Sequence, residues 1–123
     1  MYMVQVKWIV GGVLAVSRAP LPEEIGLLSS VFKTVVALVE GHELTYDFLD
    51  FERVGVAVRH RPVRDFEAPD PILMHEIVEL IEGSEKPVLV HCKSGKGRSG
   101  SVAVAYLMAT EGLGYPEALR RAR

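Results

Sequence analysis

Disulfide stapling is out of reach for this chain, which holds a single cysteine, Cys92, among 123 residues. A secreted, disulfide-rich scaffold is therefore excluded, and the lone thiol has to be either core filler or chemistry. Long apolar runs are missing as well. Stretches such as Val102 to Met108 fall far short of the roughly 18 residues that cross a bilayer, and Met1-Tyr2-Met3-Val4 lacks the basic segment of a secretion signal. These absences predict a cytoplasmic protein with no stable membrane association. Charge of one sign is not in excess either: 14 Lys and Arg against 16 Asp and Glu leave a net charge of −2, which gives no global reason to bind nucleic acid. Asparagine is absent and glutamine occurs once, at Gln5, a scarcity of thermolabile amides that fits a heat-adapted source. One cysteine and four scattered histidines show no ligand spacing, so neither a metal nor a cofactor is expected.

What is present is a composition that folds. With 49% hydrophobic and 24% charged residues, the chain is long enough for one core, and residues 1–123 are read as a single domain. Charge is uneven locally. Arg59, Arg61 and Arg64 cluster around one short segment, and Lys93, Lys96 and Arg98 fall within another that holds no acid. Two basic islands on an acidic chain point to an anionic ligand.

Periodicity supplies the elements. Met3 to Leu14, broken by Gly11-Gly12, reads as one bent strand or two short paired ones. Pro20 and Pro22 open a helix over Glu23 to Val31, whose acidic first turn suits the helix dipole. Thr34 to Val39 and Val54 to Val58 are apolar runs of strand length, with one or two helical turns between Leu44 and Phe51. His60 to Pro69 is a proline-bounded polar loop, with His60 packing it. Asp70-Pro71 then caps a helix carrying Leu73, Ile77, Leu80 and Ile81 at helical spacing, ended by Gly83. Val88 to Val90 is a buried strand, Ser99 to Glu111 an apolar central helix, and Tyr115 to Arg123 the start of a last helix. Alternating strands and helices imply an α/β fold: a central, mainly parallel sheet of four to five strands flanked by helices on both faces. Ligands in such folds bind beyond the carboxyl ends of strands.

The loop after Val88 to Val90 leaves such an end. His91-Cys92-Lys93-Ser94-Gly95-Lys96-Gly97-Arg98-Ser99 sets a thiol and a guanidinium six positions apart across a glycine-containing turn that runs into a helix. Glycines let the backbone curl so that successive N–H groups converge, forming an anion nest closed by the helix N-terminus. Arg98 can grip two phosphate oxygens at once, and the same field favours thiolate over thiol at Cys92. The bland alternative, a small buried hydrophobe, leaves the surrounding glycines and arginine unexplained. No glycine lies five residues before Gly95, so this is not a nucleotide-binding P-loop.

These residues match the H-C-x-x-G-x-x-R-[ST] pattern, and the sequence resembles the cysteine-dependent protein tyrosine phosphatases, especially their small dual-specificity, archaeal-type branch. The resemblance spans Trp8 to Gly12, the buried strands, His60-x-Pro62, the signature and the last helix. It implies the cysteine phosphatase II-like fold, phosphorylated protein partners and a phosphocysteine intermediate. Cys92 becomes the nucleophile, Arg98 the phosphate clamp, His91 the support of loop and thiolate, and Ser99 the group that helps the cysteine depart. Lys93, Ser94, Gly95, Lys96 and Gly97 complete the phosphate-binding loop. A general acid must come from another loop. Asp65, Glu67 and Asp70 are candidates, and Asp65, 27 positions before Cys92, resembles the mobile-loop acid of the family, with Asp70 in reserve. The competing view of Asp65 is a solvated acid paired with Arg61 or Arg64. Lys93 and Lys96 also resemble the loop of phosphoinositide phosphatases, so a phosphoinositide substrate is one alternative and a non-catalytic binding pseudophosphatase another. Relatives continue past the position of Arg123 through a further helix, so the resemblance implies that the last helix is incomplete.

Overall fold

The computed structural model describes residues 4–65, 67 and 70–123. Met3 of the first apolar segment, and Phe66, Ala68 and Pro69 of the polar loop, lie outside the described residues. Five strands form one sheet in the order β1-β2-β5-β3-β4: β1 Lys7–Val10, β2 Leu14–Ser17, β3 Thr34–Ala37, β4 Ala57–His60 and β5 Val88–His91. The first two are a hairpin turned by Gly12 at φ +73°, the only antiparallel pair among the described residues. The remaining pairs are parallel, with Leu14–Ser17 and Thr34–Ala37 each in register with Val88–His91.

Helices cover both faces, as the patterning requires. Leu89 of β5 points into a cluster with Ile25, Leu28, Phe32, Val35 and Phe51, beneath α1 (Ile25–Ser29) and α2 (Phe48–Glu52). Val88 and Val90 point the other way, into Ile77, Ile81, Val102 and Leu107 of α3 (Pro71–Gly83) and α4 (Gly97–Glu111), with α5 (Tyr115–Ala122) beyond. Both sides of β5 are thus dry, and burying each Val or Leu is worth about 1.5–3 kcal/mol. The strand end that carries His91 is held from two directions.

Several boundaries differ from the sequence reading. The segment after Pro20 begins with a 3-10 turn, Pro22–Glu24, and its α-helical part ends at Ser29 rather than Val31. Gly55, at φ +85°, turns the chain, so β4 starts at Ala57 and includes His60. His60 is therefore a strand residue, its Nε2 2.6 Å from the Val39 carbonyl and its ring edge-on to Phe48. Asp70 caps α3 as expected, accepting from the Leu73 N–H at 2.9 Å. The central helix begins at Gly97, two residues early, which brings Arg98 into its first turn. Among the described residues no helix is long and apolar enough to cross a membrane.

Candidate active site

The loop leaving β5 folds back over its own cysteine. Cys92 is 1% exposed, and its Sγ accepts the Gly95 N–H at 3.2 Å and lies 3.3 Å from the Ser99 hydroxyl. Burial alone pushes the thiol up, but the hydrogen bonds of Ser99 and Gly95 and the positive charge of Arg98 outweigh it, so the thiol is acidified below its ordinary value. Gly95 can only be glycine here. Its φ is +82°, and a Cβ would stand 2.5 Å from the Arg18 nitrogen and 2.7 Å from the Ser17 carbonyl carbon. The loop crest therefore rests directly on the backbone leaving β2, and the Ala19 N–H adds a bond to the Lys93 carbonyl at 3.2 Å. Arg18 is itself fixed by a bidentate pair with buried Glu24, at 2.9 and 2.8 Å.

Arg98 is the second buried group. Its Nη1 and Nη2 donate to the two Glu43 oxygens at 2.7 and 2.9 Å, and Nη1 also donates to the Val63 carbonyl at 2.8 Å. A guanidinium has five N–H donors in a plane. With its far end on Glu43, the Nε–Nη2 edge is the pair that no hydrogen bond to another described residue spans, and it could take an oxyanion. Asp65 Oδ1 lies 3.7 Å from Nη2. Of the three acids nominated from the sequence, Asp65 is the one that reaches Arg98, since Asp70 caps α3 and Glu67 faces Arg64 at 4.0 Å. Arg61 pairs with Glu76 instead. Lys93, Ser94, Lys96 and Gly97 are exposed around the loop, whereas Ser99 is fully buried.

Residues 14–112 match the family model described as "Polymorphic toxin system, DSP-PTPase phosphatase". The chain belongs to the DSP-PTPase phosphatase family. The tyrosine-protein phosphatase CDC14 homolog of Schizosaccharomyces pombe is 33% identical over 93 residues, 74% of this chain and 17% of that protein. The human dual specificity protein phosphatase CDC14C is 26% identical over 74 residues, again 17% of its length, so the chain spans about a sixth of these relatives. The crystal structure of Tk-PTP in the active form superposes with a TM-score of 0.92 at 43% identity, covering 96% of this chain and 82% of that one. The five-stranded, mostly parallel sheet is thus the fold of cysteine-dependent phosphatases.

Two residues of the candidate site escaped the sequence reading. Glu43 lies 55 positions from Arg98, and its carboxyl is held down to about 2, chiefly by the Arg98 hydrogen bonds. A depressed carboxylate contributes stability that is present above its ordinary 4.5 and lost as pH falls toward about 2. Glu43→Gln keeps the shape, removes the charge and strands a guanidinium that is 3% exposed. Breaking such a pair costs about 3–5 kcal/mol. Urea unfolding at pH 7 is expected to read that loss, and the variant's stability should change less than the wild type's between pH 4.5 and 2. Glu40, His42 and Glu43 bring ligand atoms within 4.8 Å of one another, but both Glu43 oxygens are already engaged by Arg98.

Tyr46 is the other. Its hydroxyl is 2.6 Å from His91 Nε2, while His91 Nδ1 is 3.2 Å from the Cys92 carbonyl. A carbonyl only accepts, so Nδ1 carries the proton and the tyrosine donates to Nε2. Burial holds His91 down at about 4, which keeps it neutral at pH 7. Its ring therefore supports the loop through the Cys92 carbonyl and, among the described contacts, does not touch the sulfur. Tyr46→Phe leaves a fully buried ring nitrogen unpaired, at about 1–3 kcal/mol. We expect the thiol pKa, followed by pH-dependent alkylation, to rise as the loop loosens.

Proposed function

We propose that this chain is a metal-independent phosphomonoesterase that removes phosphate from phosphotyrosine, with phosphoserine and phosphothreonine as further substrates. The observation that carries the reading is the acidified Cys92 sulfur lying under the Gly95 N–H and beside Arg98. In the first step the thiolate attacks phosphorus in line, an S–P bond forms, and the P–O bond to the alcohol breaks with its electron pair leaving on oxygen. Asp65 donates a proton to that oxygen. The equatorial phosphoryl oxygens are held by the loop amides and the Nε–Nη2 edge of Arg98. In the second step Asp65, now a carboxylate, takes a proton from water. The hydroxide attacks phosphorus and the S–P bond breaks, with the Ser99 hydroxyl, 3.3 Å from Sγ, stabilising the departing thiolate.

Charge on the phosphoryl group is balanced by Arg98 and N–H donors, which is why no metal is invoked. The substrate class comes from the tyrosine- and dual-specificity phosphatases to which the chain is similar. Turnover of p-nitrophenyl phosphate in the presence of EDTA is the direct test. Tight phosphopeptide binding with no hydrolysis would instead favour a binding pseudophosphatase, and a phosphoinositide assayed in parallel separates the lipid alternative.

A further inference from the structure

We propose that Arg18, locked by Glu24, is a positioning residue for the phosphate-binding loop: it fixes the backbone on which Gly95 rests, and so the place where the Gly95 N–H meets the Cys92 sulfur. This rests on the phosphatase reading above. Arg18 acts from outside the reacting atoms. Its guanidinium donates to the Ala19 carbonyl at 2.9 Å and to the two Glu24 oxygens at 2.9 and 2.8 Å, and none of its described hydrogen bonds reaches Cys92 or Arg98.

The loop and the chain leaving β2 meet backbone to backbone. The place of a Cβ on Gly95 is taken up by the Arg18 nitrogen and Cα, at 2.5 and 3.1 Å, so no side chain cushions the contact. Two residues earlier in the loop, the Lys93 carbonyl takes the Ala19 N–H at 3.2 Å. A displacement of residues 17–19 therefore passes to the Gly95 N–H, which donates to Sγ at 3.2 Å, and to Lys93 beside the cysteine itself. Close-packed backbone transmits such shifts rather than absorbing them.

Residues 18 and 19 are held by side chains, because the sheet has ended. The ladder between β2 and β5 stops at Ser17, opposite His91. Beyond it the Ala19 N–H is engaged by Lys93, and Pro20 has no N–H to donate. The Arg18 carbonyl takes the Ser17 hydroxyl at 2.8 Å, and the Ala19 carbonyl takes the Arg18 guanidinium. That guanidinium is in turn aimed by Glu24, which is 4% exposed and also accepts the Leu21 N–H at 2.8 Å. An ion pair with one charge buried so deeply adds little net stability, because desolvation offsets the attraction. Its fork fixes direction instead: a lysine would keep the charge but could not span both Glu24 oxygens and the Ala19 carbonyl.

The test is the thiol pKa of Cys92 in the full chain, read from pH-dependent alkylation by iodoacetamide, in the wild type, Glu24→Gln and Arg18→Lys, with folding checked by circular dichroism. We expect both variants to raise it by about one unit, a tenfold loss of thiolate, which is less than the full worth of one hydrogen bond to a charged group. Turnover of p-nitrophenyl phosphate at a pH below the thiol pKa should drop by the same factor, because the thiolate is the reacting form. Two rival accounts predict otherwise. Were the charge of Arg18 to act through space, Glu24→Gln, which removes a neighbouring negative charge, would lower the thiol pKa, and Arg18→Lys would leave it unmoved. Were the pair only a prop of the fold, urea midpoints would fall while the thiol of the folded protein stayed where it was. A thiol pKa that stays or falls in Glu24→Gln, or an Arg18→Lys that matches the wild type, overturns the proposal. Should Glu24→Gln not fold, Arg18→Lys, which keeps a cation beside the buried carboxylate, decides alone. Alkylation needs no turnover, so a shifted thiol in a chain that hydrolyses nothing would sink the phosphatase reading and leave the strut standing, whereas an unmoved thiol in an active enzyme would do the reverse.

Discussion

Cys92→Ser is expected to reduce hydrolysis of p-nitrophenyl phosphate and phosphotyrosine to background while tungstate or inorganic phosphate still binds. The two halves of this result have separate physical sources. Turnover needs an anionic atom at the position of Sγ, and the loop acidifies a thiol below its ordinary value. A serine hydroxyl starts so much more basic that the same hydrogen bonds from Gly95 and Ser99 cannot ionise it. On the proposed reading, oxyanion binding rests on the loop N–H groups and the Nε–Nη2 edge of Arg98, and neither depends on sulfur. Because Cys92 is 1% exposed and serine is nearly the same shape, the packing around it changes little. Initial rates and calorimetric titration with tungstate check the pair. Residual turnover in the variant would remove Cys92 as the nucleophile, and loss of oxyanion binding along with turnover would show that the cradle itself is misread. In the wild type, alkylation by iodoacetamide should accelerate with rising pH through the lowered thiol pKa, so the thiolate is already populated where a free cysteine is protonated.

The features legible in the sequence were those encoded within a few residues of each other. Val88 to Val90 announces a buried strand, Asp70-Pro71 a helix start, and the run from His91 to Arg98 a glycine-containing turn between strand and helix; the strand and the helix start appear where local rules put them, while the turn is shorter, because His91 ends β5 and Gly97 opens α4. What was missed depends on contacts that topology creates. Glu43 meets Arg98 across 55 positions and Tyr46 meets His91 across 45, because β3 and β5 pair in parallel and the chain leaving β3 passes over the loop that leaves β5. Nothing in Gly41-His42-Glu43 distinguishes a buried partner from an ordinary surface acid. The boundary errors have the same origin at smaller scale: the positive φ of Gly55 moves β4 along, and tertiary contacts admit Gly97 into a helix that propensity would begin later.

Asp65→Asn is expected to lower kcat by about 10²–10⁴, the span of general acid catalysis. The size should depend on the leaving group. A nitrophenolate departs readily without a proton, so the loss is smaller on p-nitrophenyl phosphate; a tyrosine phenolate needs the proton more, so the loss is larger on phosphotyrosine peptides. A solvated acid that merely neutralised Arg61 or Arg64 does not predict that dependence on the leaving group, and those arginines face Glu76 and Glu67. The position of Asp65 next to Arg98, at 3.7 Å, puts it beside the edge that would receive the phosphate, while the Val63 carbonyl two residues earlier holds the same guanidinium at 2.8 Å. On the proposed mechanism one arginine would hold the phosphoryl group and also the start of the loop that carries Asp65. Asp70→Asn, by contrast, keeps a good helix cap and should leave turnover near wild type. A large loss from Asp70→Asn with little from Asp65→Asn would transfer the acid to the helix start.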